Sequence, residues 1–169
     1  IRQIFPSEQL GPVMRFDPAN SRRNIQMGYY DTMRFMRELP GQLYYFSEKA
    51  DGFAAFAALP ENAIKAAGIP LRLPEGLSPR RALFEHILPA VAAELRLPRE
   101  TGYDDLLLAL LEHRAEQLGI GRFRWYTPAQ LQAVIAESTA LPEEPRRPLL
   151  RSRPLEAAEI LAAALPLLG

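Results

Sequence analysis

The chain has 169 residues, 48% of them hydrophobic, which suits one ordinary domain with a core and excludes the polar, charge-rich composition of disorder. Twenty basic residues balance twenty acidic ones, so no net field draws the protein to nucleic-acid phosphates or to an anionic membrane surface. Zero cysteines exclude disulfides, thiolate metal sites and a cysteine nucleophile, and they suit a reducing cytoplasm.

Residues 1–5 partly alternate apolar and polar side chains as far as Pro6 and read as a short strand. A start at Ile1 in such a pattern, without a charged and apolar leader, reads as the middle of a longer polypeptide with no signal peptide. Asp17-Pro18, a capping carboxylate followed by a first-turn proline, opens a helix. Along it Ile25, Tyr29, Thr32, Met33 and Met36 keep helical spacing, and this face is expected to be buried. Met27, Tyr30 and Phe35 lie away from that stripe and require a second neighbour. Gly28 inside the helix costs about 1 kcal/mol relative to alanine, and close packing against another backbone is the expected compensation. Pro40-Gly41 closes the helix, and the aromatic residues 42–46 form a second short strand or extended arm.

Beyond residue 50 the sequence turns to alanine and leucine, with helices expected at 51–59, 60–67, 78–97, 103–118 and 127–138. Ser78-Pro79 and Thr127-Pro128 repeat the hydroxyl cap and first-turn proline, and Gly119 stands where a helix ends. Phe84, Ile87, Leu88, Val91 and Leu95 make one stripe and Leu107, Leu110, Leu111 and Leu118 another, so these two helices are expected to pack together. Pro89 is expected to kink or break the first of them. The proline-rich stretch 139–153 has no periodicity and reads as an extended linker. It tethers a last helix, 154–168, whose Leu161, Leu165 and Leu168 must bury against this chain or another. The longest apolar run, 160–168, is far short of the roughly 20 residues of a spanning helix, so no transmembrane segment is expected. There is no internal repeat. The chain thus divides into a strand-helix-strand element at 1–50, a helical domain at 51–138, and a linker with a docking helix at 139–169; the class is mainly α.

The residues offer little chemistry. His86 and His113 each follow a glutamate, Glu85 and Glu112, and the four together suggest a metal site. Consecutive helix positions point about 100° apart, however, so neither pair aims both ligands inward, and solvated helix faces are expected instead. Ser7, Ser21, Ser47, Ser78, Ser138 and Ser152 all lack the G-x-S-x-G context of a serine nucleophile, and caps or turns account for most of them. The ten glycines are scattered and form neither a P-loop nor a dinucleotide fingerprint. Arg122, Arg124, Trp125 and Tyr126 put basic and aromatic residues together, but one short cluster in a neutral chain predicts a tryptophan anchored in the core with snorkelling arginines. No catalytic, cofactor-binding or metal-ligating residue and no nucleic-acid partner is expected.

The run Ile4-Phe5-Pro6-Ser7, then Leu10-Gly11, then Asn24-Ile25-Gln26-Met27-Gly28-Tyr29-Tyr30-Asp31-Thr32 resembles the end of the catalytic domain in bacterial patatin-like phospholipases, and Tyr44-Tyr45-Phe46 after Gly41 is similar as well. The likeness covers about residues 1–46. It implies that this region is the terminal strand and helix of a patatin-like α/β fold, followed by a helical extension. That family pairs a G-x-S-x-G serine with a D-G-G or D-G-A aspartate and acts on acyl lipids. Both motifs are absent here, and the resemblance places them upstream of Ile1. None of its catalytic residues therefore falls on a position of this chain. Asp31, inside a helix and without the glycine turn, is expected to make a surface or helix-to-sheet hydrogen bond. The implied partner is an upstream catalytic domain of the same polypeptide, with the extension capping its cleft, touching lipid or mediating homo-oligomerisation. The alternative from the residues alone is a non-enzymatic helical protein-interaction module.

Overall fold

The computed structural model describes residues 3–11, 17–74, 76–140 and 152–166. It is mainly helical, as the sequence predicts. Helix α1, Pro18–Met36, starts where the Asp17 carboxylate accepts the Ala19 N–H. Strand β1, Tyr45–Phe46, is followed by α2, Gly52–Ala57, and α3, Glu61–Gly68. Helix α4, Pro79–Arg81, runs through a π turn, Ala82–Ile87, into α5, Leu88–Glu94. Then come α6, Tyr103–Gln117, strand β2, Trp125–Tyr126, α7, Pro128–Ala140, and α8, Arg153–Ala164. The two strands pair in parallel, Tyr45 opposite Trp125 and Phe46 opposite Tyr126. The strand expected at 1–5 is not formed over residues 3–5, where the chain has no ladder neighbour; residues 1–2 lie outside the described residues.

The capping signals hold. Ser78 accepts the Arg81 N–H, and Thr127 and Gln130 exchange side-chain-to-backbone bonds in a capping box. Gly119 takes a positive φ while the Ile120 N–H reaches back to Ala115. Pro89 neither breaks nor ends its helix. It has no N–H to give, and the preceding turn widens so that the Leu88 N–H bonds to the Leu83 carbonyl five residues back.

Three expectations about burial are corrected. In α1 the stripe expected inside is outside: Ile25, Tyr29 and Met36 are 73%, 58% and 71% exposed. The opposite side, with Met27 and Asp31, is the buried one. Gly28 lies on the exposed side, and a Cβ there would meet nothing within 4 Å, so no close backbone compensates it. The last helix is integral rather than tethered. Its Ala157, Ala158 and Leu161 are fully buried, and α8 packs against α3, α5 and α6. Small residues let it approach closely, and Gln132 fastens its end by donating to the Leu165 and Pro166 carbonyls at 3.0 and 2.8 Å. Helix α8 thereby takes much of the apolar surface that α5 and α6 were expected to bury on each other. The linker residues 141–151, and Leu168, lie outside the described residues.

One hydrophobic cluster runs from Tyr44 to Leu165 and includes Phe46, Phe56, Leu83, Leu107 and Tyr126. Gly52 is required where α2 abuts the start of α6, since a Cβ would stand 2.0 Å from the Tyr103 carbonyl oxygen. Among the described residues no helix is long and apolar enough to cross a membrane.

Candidate functional site

The links between helix α1 and the rest of the molecule centre on one buried carboxylate. Asp31 Oδ2 accepts the Ser7 N–H at 2.9 Å and the Ser7 hydroxyl at 3.1 Å. Its Oδ1 accepts the Tyr45 hydroxyl and an Arg34 N–H, both at 3.0 Å. Arg34 spans onward to the Gly41 and Gln42 carbonyls, and its guanidinium lies over the Tyr45 ring at 5.1 Å. Arg122 donates to the Ser7 hydroxyl at 2.7 Å and pairs with Glu8, which also pairs with Arg23. Tyr30 stacks on Tyr45 at 4.8 Å, with Trp125 beside both rings. Burial pushes the Tyr45 hydroxyl up to about 12, so it stays protonated and serves as a donor.

The serine, carboxylate and guanidinium of this joint look like parts of a hydrolytic centre, but the geometry argues for anchorage. Asp31 already accepts four hydrogen bonds, one from a cation, so its acceptor positions are engaged in holding the joint together. The helix-to-sheet role expected of Asp31 is the one it fills, through Tyr45 of β1. Trp125 is only half-buried, and Tyr126 is the residue set in the core; Arg122 is folded inward against Ser7 and Glu8 rather than extended to solvent.

The two histidine–glutamate pairs come apart as the helical geometry requires. Glu85 pairs with Arg81 on an exposed face. Glu112, expected to be solvated, is instead buried, and its Oε1 accepts the N–H groups of Gln42, Leu43 and Tyr44 at 2.8, 3.0 and 2.9 Å. It is an internal carboxyl in a cradle of backbone donors. Gly41 makes room for it: φ is +95°, and a Cβ would stand 2.9 Å from that same oxygen. Burial raises the Glu112 carboxyl above the usual range while the three N–H bonds pull the other way. His113 points elsewhere, with Nε2 3.1 Å from the Gln117 amide nitrogen, and burial lowers its imidazole. No group of three or more potential ligands gathers around a metal position among the described residues.

The second candidate was not foreseen from the sequence. Where α5 and the start of α6 diverge, they leave an apolar groove of about 660 Å³, walled by Phe84, Leu88, Pro89 and Ala92 on one side and by Tyr103 and Leu106 on the other. The connection at residues 97–101 borders it and contributes Arg99 and Thr101. The aromatic surface continues outward, with Phe84 5.4 Å from Tyr103 and 5.6 Å from the exposed Phe53. No family model matches this chain, nor does any curated protein or solved structure.

Proposed function

We propose that the chain is the non-catalytic C-terminal segment of a patatin-like serine acyl hydrolase, in which α1 belongs to the catalytic domain and the helices from α2 onward form an extension over it. The observation that carries this reading is the two-sidedness of α1. One side holds Met27, Tyr30 and Asp31 against this chain, and the other leaves Ile25, Tyr29 and Met36 exposed. A helix apolar on both sides suits a place between two layers, and among the described residues only one side is covered. On this reading the sheet of the catalytic domain supplies it, as the Pro6-Ser7 and Gly28-Tyr29-Tyr30-Asp31-Thr32 resemblance implies. The catalytic serine and aspartate then lie on the preceding polypeptide. The absence of cysteine suits a cytoplasmic setting.

The test is to read the coding sequence that precedes Ile1, express it with and without this chain, and label both with a serine-directed fluorophosphonate. A G-x-S-x-G motif with D-G-G or D-G-A, labelling confined to the upstream part, and co-purification that Ile25→Asp disrupts are the expected results. Labelling of this chain, or a reading frame without those motifs, overturns the proposal.

A second reading, a helical protein-interaction module, draws support from the core itself, which runs from Tyr44 to Leu165 and takes no residue from α1. It expects no upstream serine motif and a monodisperse chain with the Met27, Tyr30 and Phe35 side of α1 buried, and Met27 is fully buried here while Phe35 is 36% exposed.

A further inference from the structure

The groove between α5 and the start of α6 has the chemistry of a ligand site. We propose that it binds a long-chain carboxylate, with the alkyl chain along Phe84, Leu88, Ala92 and Tyr103 and the carboxylate on Arg99. This assignment does not rest on the acyl-hydrolase reading, because it uses only the groove and is tested on this chain alone.

Shape comes first. Phe84, Leu88, Pro89, Ala92 and Ala93 line one wall, and at about 1.5 Å per residue they span roughly 13 Å along the helix. That is longer than an aromatic ring and suits an extended alkyl chain. The volume of about 660 Å³ lies within the range of small-molecule sites, which are mostly apolar with a few placed polar groups.

Charge selects the head group. Arg99 is the single charged residue that lines the groove. It is exposed and pairs with no carboxylate among the described residues, whereas Arg23, Arg34, Arg81 and Arg122 all have acidic partners. A lone guanidinium beside an apolar wall offers a two-pronged match to one carboxylate, and Thr101 adds a hydroxyl at the same border. A cationic head would be repelled there. A partner helix would need a row of anchor pockets, whereas this is one concavity with one charge.

Dodecanoate and dodecyltrimethylammonium, both below their micelle concentrations, are titrated calorimetrically into the 169-residue chain and three variants. One dodecanoate per chain is expected, with the ammonium amphiphile bound at least about tenfold more weakly, a difference of about 1.4 kcal/mol. Arg99→Glu reverses that preference. Ala93→Trp, at an exposed position on the groove, abolishes binding of both. Ile25→Asp, on the exposed side of α1, changes neither. Arg99→Glu and Ala93→Trp are checked for unaltered helical circular dichroism and urea midpoint, so that a loss of binding reports the groove. Equal affinity for the two head groups, an Arg99→Glu variant that binds dodecanoate like the parent, loss of binding with Ile25→Asp, or no saturable binding overturns the proposal.

Discussion

Helices α1 and α8 lie near opposite ends of the described chain, both carry apolar stripes, and the molecule treats them in opposite ways. Helix α8 puts Ala157, Ala158 and Leu161 into the core and is fixed by close packing. Helix α1 adds nothing to that core and is fixed by a carboxylate, its four donors and a stack of aromatic rings. A stripe of hydrophobic residues therefore shows that a helix has something to bury, and not which neighbour buries it. The difference also separates two kinds of stability. Packing is spread over many small contacts, whereas the α1 joint gathers four hydrogen bonds on Asp31.

The same substitution on each helix gives the sharpest contrast. Leu161→Asp places a carboxyl where the side chain is fully buried, a penalty of several kcal/mol against a total stability of about 5 to 15 kcal/mol, so the urea midpoint is expected to collapse or cooperative unfolding to disappear. Asp31→Ala strands the Ser7, Tyr45 and Arg34 donors and costs about 3 to 5 kcal/mol. Its effect is local: hydrogen exchange should accelerate across residues 18–36 while the amides of α8 keep their protection. Equal acceleration in both helices would erase the distinction drawn here.

Glu112 gives a smaller, pH-dependent effect. Its folded pKa is raised, so its contribution is full below the ordinary value of 4.5 and is lost as pH rises through the folded value. Glu112→Gln keeps an acceptor for the three N–H groups and removes the titration. The urea midpoint of the parent should fall, relative to that of the variant, as pH rises above 4.5. His113, lowered by burial, acts in the opposite sense, with a contribution present above 6.5 and lost as pH falls, and it cancels between the two proteins. The smallest effect is Ile25→Asp, expected to shift the unfolding free energy of this chain by less than about 0.5 kcal/mol because the side chain touches mostly water. A large loss in the chain alone would mean that α1 already has its second neighbour.

Local signals were legible in the sequence, and pairwise ones were not. Asp17-Pro18, Ser78-Pro79 and Thr127-Pro128 start helices because capping depends only on residues within one turn. Gly119 marks a helix end for the same reason. Glu38 and Arg96 make comparable left-handed turns after α1 and α5 without glycine, so nothing in the residue type announces them. Glu112 was read as solvated because its partners, residues 42–44, lie about 70 positions away. Helical spacing identified both faces of α1, but which of them turned inward was decided by the polar joint at Asp31. The groove was invisible for a related reason: its walls come from residues 84–93 and 103–106, whose separation in space no stripe encodes.

The parallel pair β1–β2 has a consequence for how the molecule assembles. It joins residues such as Ser47 and Tyr126, 79 positions apart, through only two residues in each strand. Closing so long a loop for so few bonds becomes favourable only after the intervening helices have brought its ends together. The contact order thus predicts that the helices form before the two strands meet. In chain order α1 precedes Tyr45, Arg122 and Trp125, the residues that receive its Asp31 and Tyr30 side.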